Sequence, residues 1–138
     1  MKLVRLLYYS RAVRDMSLAD LKDILGTARD NNSSIDVCGM LCYDKRYFLQ
    51  ALEGARETVN ELYLDIADDP RHDEVVIIAY EEVLEKVFPV WQMGYAGSSA
   101  QFTELLSELG QADFSPADMT AEQAVTFLQK MSAFQSEV

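Results

Sequence analysis

Little in this chain could do chemistry except a tyrosine and a few amides in apolar surroundings. Gln50 lies in Arg46-Tyr47-Phe48-Leu49-Gln50-Ala51-Leu52-Glu53-Gly54, a strand-like run of aromatic and aliphatic residues ending at a glycine. With a period of two, Phe48, Gln50 and Leu52 share one face, and Tyr47, Leu49 and Ala51 share the other. A buried primary amide needs partners for two N–H donors and a carbonyl, or it costs about 1–3 kcal/mol. Either Gln50 is a core residue satisfied by backbone or water, or it faces a ligand. Tyr8 shares a face with Leu6 and Ser10 on the first strand-like run. If the two runs are neighbours at the centre of a sheet, Tyr8 and Gln50 meet on one face. Ile24, Ala28 and Asn31 are spaced four and three apart, so they come down on that face from a helix. Ile66 would do the same from a second helix. One phenol and two or three amides in an apolar pocket suit a flat heteroaromatic ligand, gripped on its faces by aliphatic side chains and paired at its edges by amides. Arg71, at the end of the second helix, could hold a phosphate.

The sequence shows no nucleophile paired with a base, no carboxylate dyad, no glycine-rich phosphate loop and no metal cluster. A phenol titrates near 10, so a tyrosine beside an amide makes a poor acid–base pair at neutral pH. Tyrosine is a good one-electron donor, however, and a hydrogen-bonded amide can relay its proton. The pair points to redox or photochemical behaviour of a bound chromophore.

The bulk numbers fit this. A chain of 138 residues is one domain, large enough to bury most of its apolar side chains. A net charge of −11 repels phosphate backbones, so no nucleic-acid role is expected. No apolar run approaches the roughly 20 residues of a membrane span. The start, Met1-Lys2-Leu3-Val4-Arg5, lacks the apolar region of a signal peptide, and a cytoplasmic protein is expected. Cys38 and Cys42 are four apart on one strand, roughly 13 Å, beyond disulfide reach. With the lone His72 they make no metal site, and both read as small buried hydrophobes.

The elements that would position the site follow in order. Strands are expected over residues 3–10, 35–43, 46–53, 73–83 and 88–96, the second and third joined at Asp44-Lys45. A first helix starts after Ser17, with Asp20 in place of the usual Glu of a capping box, and ends near Asp30 at Asn31-Asn32. A second covers residues 57–68 and stops before Pro70. The order β-α-β-β-α-β-β is an α/β (α+β) ferredoxin-like sandwich of five strands with both helices on one face. From Ser98 the character changes. Helices are expected over 101–109 and 117–133, the latter opened by Ser115-Pro116. This tail sets Glu104, Glu108, Asp113, Asp118, Glu122 and Glu137 against Lys130, and carries enough apolar residues to cover the sheet's free face or a partner. Residues 1–97 would form the ligand-binding domain and 98–138 a helical extension.

Several motifs in register then carry a resemblance. They are Arg5-Leu6-Leu7-Tyr8-Tyr9-Ser10, Leu21-Lys22-Asp23-Ile24-Leu25 through Asn31-Asn32, and Gly39-Met40-Leu41-Cys42-Tyr43. Phe48-Leu49-Gln50-Ala51-Leu52-Glu53-Gly54, Asp69-Pro70-Arg71-His72 and Phe88-Pro89-Val90-Trp91-Gln92-Met93 complete them. Over roughly residues 2–97 the chain resembles the BLUF family, flavin-binding sensors of blue light, and its acidic tail resembles that of short, stand-alone members. The resemblance implies a photoreceptor that is not an enzyme, with Tyr8 and Gln50 as the switching pair. It places Asn31 and Asn32 at the ring's carbonyl edge, and Ile24 and Ile66 on its faces. Ala28, Leu41, Phe48, Leu52 and Asp69 complete the lining, and Arg71 and His72 lie on the ribityl or phosphate side. Trp91 and Met93 would sense the rearrangement. In the family account, light drives electron and proton transfer from the tyrosine to the flavin, and recombination leaves the glutamine amide rearranged, with a red-shifted absorption. The chromophore would be FAD, with FMN or riboflavin as alternatives, because the pocket addresses the shared ring. Partners implied are a homo-oligomer, dimer or larger ring, and a downstream signalling protein. Departures are Tyr9, where a smaller or charged residue often stands, and Gly94 after Trp-x-Met, which could loosen the last strand. Two rivals remain open here: a small ferredoxin-like acylphosphatase using Arg71 and an Asn, and an interaction module without a pocket.

Overall fold

A computed structural model of the chain describes residues 2–89 and 93–135, apart from the side chains of Ser33 and Ser34. The first strand, β1 (Leu3–Ala12), is buried along almost its whole length. Helix α1 (Leu18–Ile35) begins at the expected cap: Ser17 accepts from the Asp20 N–H, and the Asp20 carboxylate accepts from the Ser17 N–H. It does not end at Asn31-Asn32. Both asparagines are helical, and the stop is Asp36, whose backbone takes the left-handed conformation (φ 54°) while its N–H is given to the Asn32 carbonyl. Aspartate tolerates that region, so the terminator lay four residues past the expected one.

The extra helical turn consumes Ile35, and β2 (Cys38–Asp44) starts correspondingly later. It turns into β3 (Tyr47–Ala55) through Lys45 and Arg46, both with positive φ (47° and 77°). Two successive positive φ values match the twist of a tight hairpin, usually with Asn-Gly. Here Arg46 is held from outside: its guanidinium donates to the Ala12 carbonyl at 2.8 Å, and its own carbonyl accepts from the Ala12 N–H at 2.7 Å. Helix α2 (Arg56–Ala67) and β4 (His72–Glu82) follow close to their expected places.

The fifth strand is a correction. β5 is Gly94–Ala96, and Phe88 and Pro89, expected to open it, are in no strand. The N–H groups of Val87 and Phe88 go instead to the Glu53 carboxylate, at 2.8 and 2.7 Å, and Pro89 has no N–H to give.

The sheet order is β4-β1-β3-β2-β5. β1 runs antiparallel to β3 and β4, β2 antiparallel to β3, and β5 parallel to β2. This is a five-stranded mixed sheet of ferredoxin-like α+β type. Because strand side chains alternate, the sheet separates two cores. Leu6, Tyr8, Leu41, Phe48 and Leu52 pack on one face with Leu21 and Leu25 of α1 and Val59 of α2. Leu7, Met40, Cys42, Leu49 and Ala51 pack on the other. That second face is covered by α3 (Ala100–Glu108) and α4 (Ala121–Met131), through Phe102, Leu106, Phe127 and Leu128. The tail's second helix starts later than expected. Ser115-Pro116 opens a short 3-10 turn, Pro116–Asp118, and α4 begins after Thr120, which forms a capping box with Gln123. Both cysteines are free and buried.

At Gly39, in the β2–β3 pairing, a Cβ would overlap the Ala51 carbonyl oxygen. Gly39→Ala should therefore cost about 1–3 kcal/mol of stability. In urea titrations this appears as a lower midpoint with an unchanged slope.

Candidate functional site

The central pair of strands brings Tyr8 and Gln50 directly opposite each other in the ladder. The Tyr8 hydroxyl donates to Gln50 Oε1. Gln50 Nε2 in turn donates to the sulfur of Met93, at 3.3 Å. The three side chains form one buried relay, 3%, 5% and 2% exposed respectively. Burial, with smaller contributions from Tyr63 and Asp69, pushes the Tyr8 phenol well above its ordinary range, so it keeps its proton at neutral pH. Its ring meets Tyr63 and His72 edge-on, with centroids 5.7 and 6.5 Å away.

The relay forms part of the wall of a cavity between the sheet and the two covering helices. Its volume is about 180 Å³, against the ~10–15 Å³ that one water fills on the same measure. From α1 come Ile24, Ala28, Asn31 and Asn32, from α2 Ile66, and from the sheet Tyr8, Leu41, Phe48, Gln50 and Leu52. Asp69, Arg71, His72 and Met93 complete the set named from the sequence. Helix α1 delivers both asparagines because it runs past them. Had it ended at Asp30, Asn32 would not be held in its buried place, 1% exposed. Thr27, Leu62 and Asp65 also line the cavity and were not singled out as site residues. Helical spacing could have found them: Thr27 lies between Ile24 and Asn31 on one face, and Leu62 is four before Ile66. Trp91 lies outside the described residues.

At the side near the end of α2 the charges are already matched. Arg71 Nε bonds both Asp69 oxygens at 3.0 and 3.1 Å, and Arg71 Nη1 reaches Asp23 at 3.0 Å. The guanidinium holds the Asp69 carboxyl below its usual range. His72 bridges two elements, with Nε2 at 2.6 Å from the Ile66 carbonyl and Nδ1 at 2.7 Å from Ser10 Oγ. A carbonyl only accepts, so Nε2 carries a proton there, and Ser10 Oγ is the partner of Nδ1.

The donor set fits a flavin ring: amides and a phenol for its polar edge, and aliphatic side chains for its faces. The acylphosphatase alternative needed a cationic centre, whereas Arg71 is shared between two carboxylates. A module without a pocket is excluded by the cavity itself. Among the described residues no group of three or more metal-binding side chains occurs, and no helix is long and apolar enough to cross a membrane.

Known proteins resemble this chain in sequence and in fold. Residues 3–94 match BLUF, described as sensors of blue-light using FAD. The photoactivated adenylate cyclase subunit beta of Euglena longa is 37% identical over 112 residues, covering 79% of this chain and 13% of that protein. This chain thus spans a small part of that relative's length. Among solved structures, BlsA in its photo-activated state is similar with a TM-score of 0.91 and 31% identity, covering 99% of each chain. The dark-state structure of BlrB, a BLUF protein, gives a TM-score of 0.81 at 28% identity, covering 96% of this chain and 97% of that one. With the matched span reaching from the strand that carries Tyr8 to the first residue of β5, this chain belongs to the BLUF family of flavin-using blue-light sensors.

Proposed function

We propose that the chain is a blue-light switch in which the Tyr8–Gln50 pair is the moving part and the last strand and C-terminal helices carry the signal. Residues 1–97 form the flavin-binding domain and 98–138 the helical extension. Asn31 and Asn32 pair with the polar edge of the ring, Ile24 and Ile66 cover its faces, and Asp69, Arg71 and His72 stand beside the ribityl chain. Bound there, FAD supplies absorption in the blue and an accepting level for one electron. Tyr8 would be the donor of that electron, its phenolic proton passing to Gln50 Oε1, to which it already donates. On return of electron and proton to Tyr8, the Gln50 amide would be left turned over, with Nε2 no longer donating to Met93. Nothing is consumed, so this is a change of hydrogen bonding and not a turnover. Met93 adjoins β5, which pairs with β2, whose other face packs on α4. The rearrangement thereby has a route to the tail, where self-association or a partner protein would read it.

The observation that carries this reading is the unbroken relay from Tyr8 through Gln50 to Met93 at the wall of a cavity lined with amides. Purification from a flavin-replete host tests it. The protein should be yellow and release about one flavin per chain on denaturation; a colourless protein that takes up no added flavin would sink it.

A further inference from the structure

We infer that Arg29 is a positioning residue for the Gln50 switch, holding Met93 where the Gln50 amide can reach it. This rests on the reading of the site just given. Met93 is the residue immediately before β5, so it stands at the end of the strand pairing. Yet its side chain is buried and its sulfur accepts from Gln50 Nε2. Its backbone carbonyl is held by Arg29 of α1, whose Nε donates to it at 3.0 Å. A hydrogen bond from a charged donor is among the stronger ones. Arg29 adjoins Ala28, which lines the cavity, so α1 supplies both a wall of the site and the clamp on its sensor.

The next residue shows why the clamp comes from outside the strand. A Cβ on Gly94 would lie 2.7 Å from Met40 Sδ and 3.0 Å from Gln135 Oε1. Gln135 Oε1 also accepts from the Tyr95 N–H at 3.3 Å. β5 is therefore packed tightly against the tail from Gly94 onward, while among the described residues Arg29 bonds the Met93 carbonyl and Gln50 bonds its sulfur. Rotation of the Gln50 amide has to pass the Met93 thioether. A firmly held thioether slows that rotation and a loosened one permits it.

The test uses the full chain. Arg29 is exposed, so Arg29→Gln and Arg29→Lys leave the core intact. Arg29→Gln should speed thermal recovery after blue light by about tenfold, the factor carried by a hydrogen bond to a charged group, and Arg29→Lys should restore most of it. In a Met93→Leu background the same substitution should change recovery by less than about twofold, because the effect passes through the thioether. Independently, the 13C-labelled methyl resonance of Met93 in the dark should move toward its unrestrained position in Arg29→Gln and not in Arg29→Lys. Unchanged recovery with an unmoved methyl, or an equal factor in the Met93→Leu background, would overturn the inference. If the parent protein shows no reversible shift, the switch reading fails, while the methyl resonance still decides whether Arg29 holds Met93.

Discussion

Tyr8→Phe should leave the protein yellow and abolish its reversible red shift. The substitution removes one oxygen from a side chain that is 3% exposed, so packing against Tyr63 and His72 survives. It leaves Gln50 Oε1 without its donor, at a cost of about 1–3 kcal/mol, which a domain of this size can bear. What disappears is the group that gives up an electron and a proton, and no other side chain donates to Gln50 Oε1 among the described bonds. Gln50→Leu should give the same optical result by the opposite route. Leucine suits the apolar neighbourhood of Phe48 and Leu52, so the chain folds and can hold flavin, but nothing remains to turn over. Light-minus-dark difference spectra of both variants check this. A normal photocycle in Tyr8→Phe would remove Tyr8 from its role.

The largest effect on stability is expected from Glu53→Ala. Glu53 is fully buried, and its carboxylate accepts from Arg5 Nε at 2.9 Å and from the Val87 and Phe88 N–H groups. Three donors on a single buried carboxylate tie β1, β3 and the segment after β4 together. Removing it leaves the Arg5 guanidinium buried without that partner, with only Glu81 at 3.6 Å, and orphans two backbone donors. Breaking such a pair costs about 3–5 kcal/mol. Urea denaturation should show a loss of that size, with Glu53→Gln losing less because the amide oxygen still accepts. A loss below about 1 kcal/mol for the alanine variant would mean that the anchor contributes little.

The sequence showed most of the sheet because alternation reports burial directly. Leu49 and Ala51 fall on one side and Phe48, Gln50 and Leu52 on the other, as the period of two requires. Ser17 and Asp20 likewise announce their helix through local bonds. The misplaced boundaries have different causes. Phe88 stays out of the strand expected to open there because Glu53 intercepts the Val87 and Phe88 N–H groups across more than thirty residues, and no local signal encodes that. The length of α1 depended on Asp36 adopting a left-handed conformation, a choice that the asparagines before it were equally able to make. At the site, helical spacing brought Ile24, Ala28 and Asn31 together, and strand register put Tyr8 opposite Gln50. The pairing of Arg71 was only half legible: Asp69 is two residues away, whereas Asp23, which shares the guanidinium, is 48 residues away in sequence.

The switch itself is tested most directly by a single absorption spectrum of the purified protein, recorded in darkness, during blue light and after return to darkness. The account predicts flavin bands that shift to the red under illumination, without bleaching, and return in the dark, because only the hydrogen bonds around Gln50 have changed. Bands that bleach, or that stay where they are under light, would contradict it.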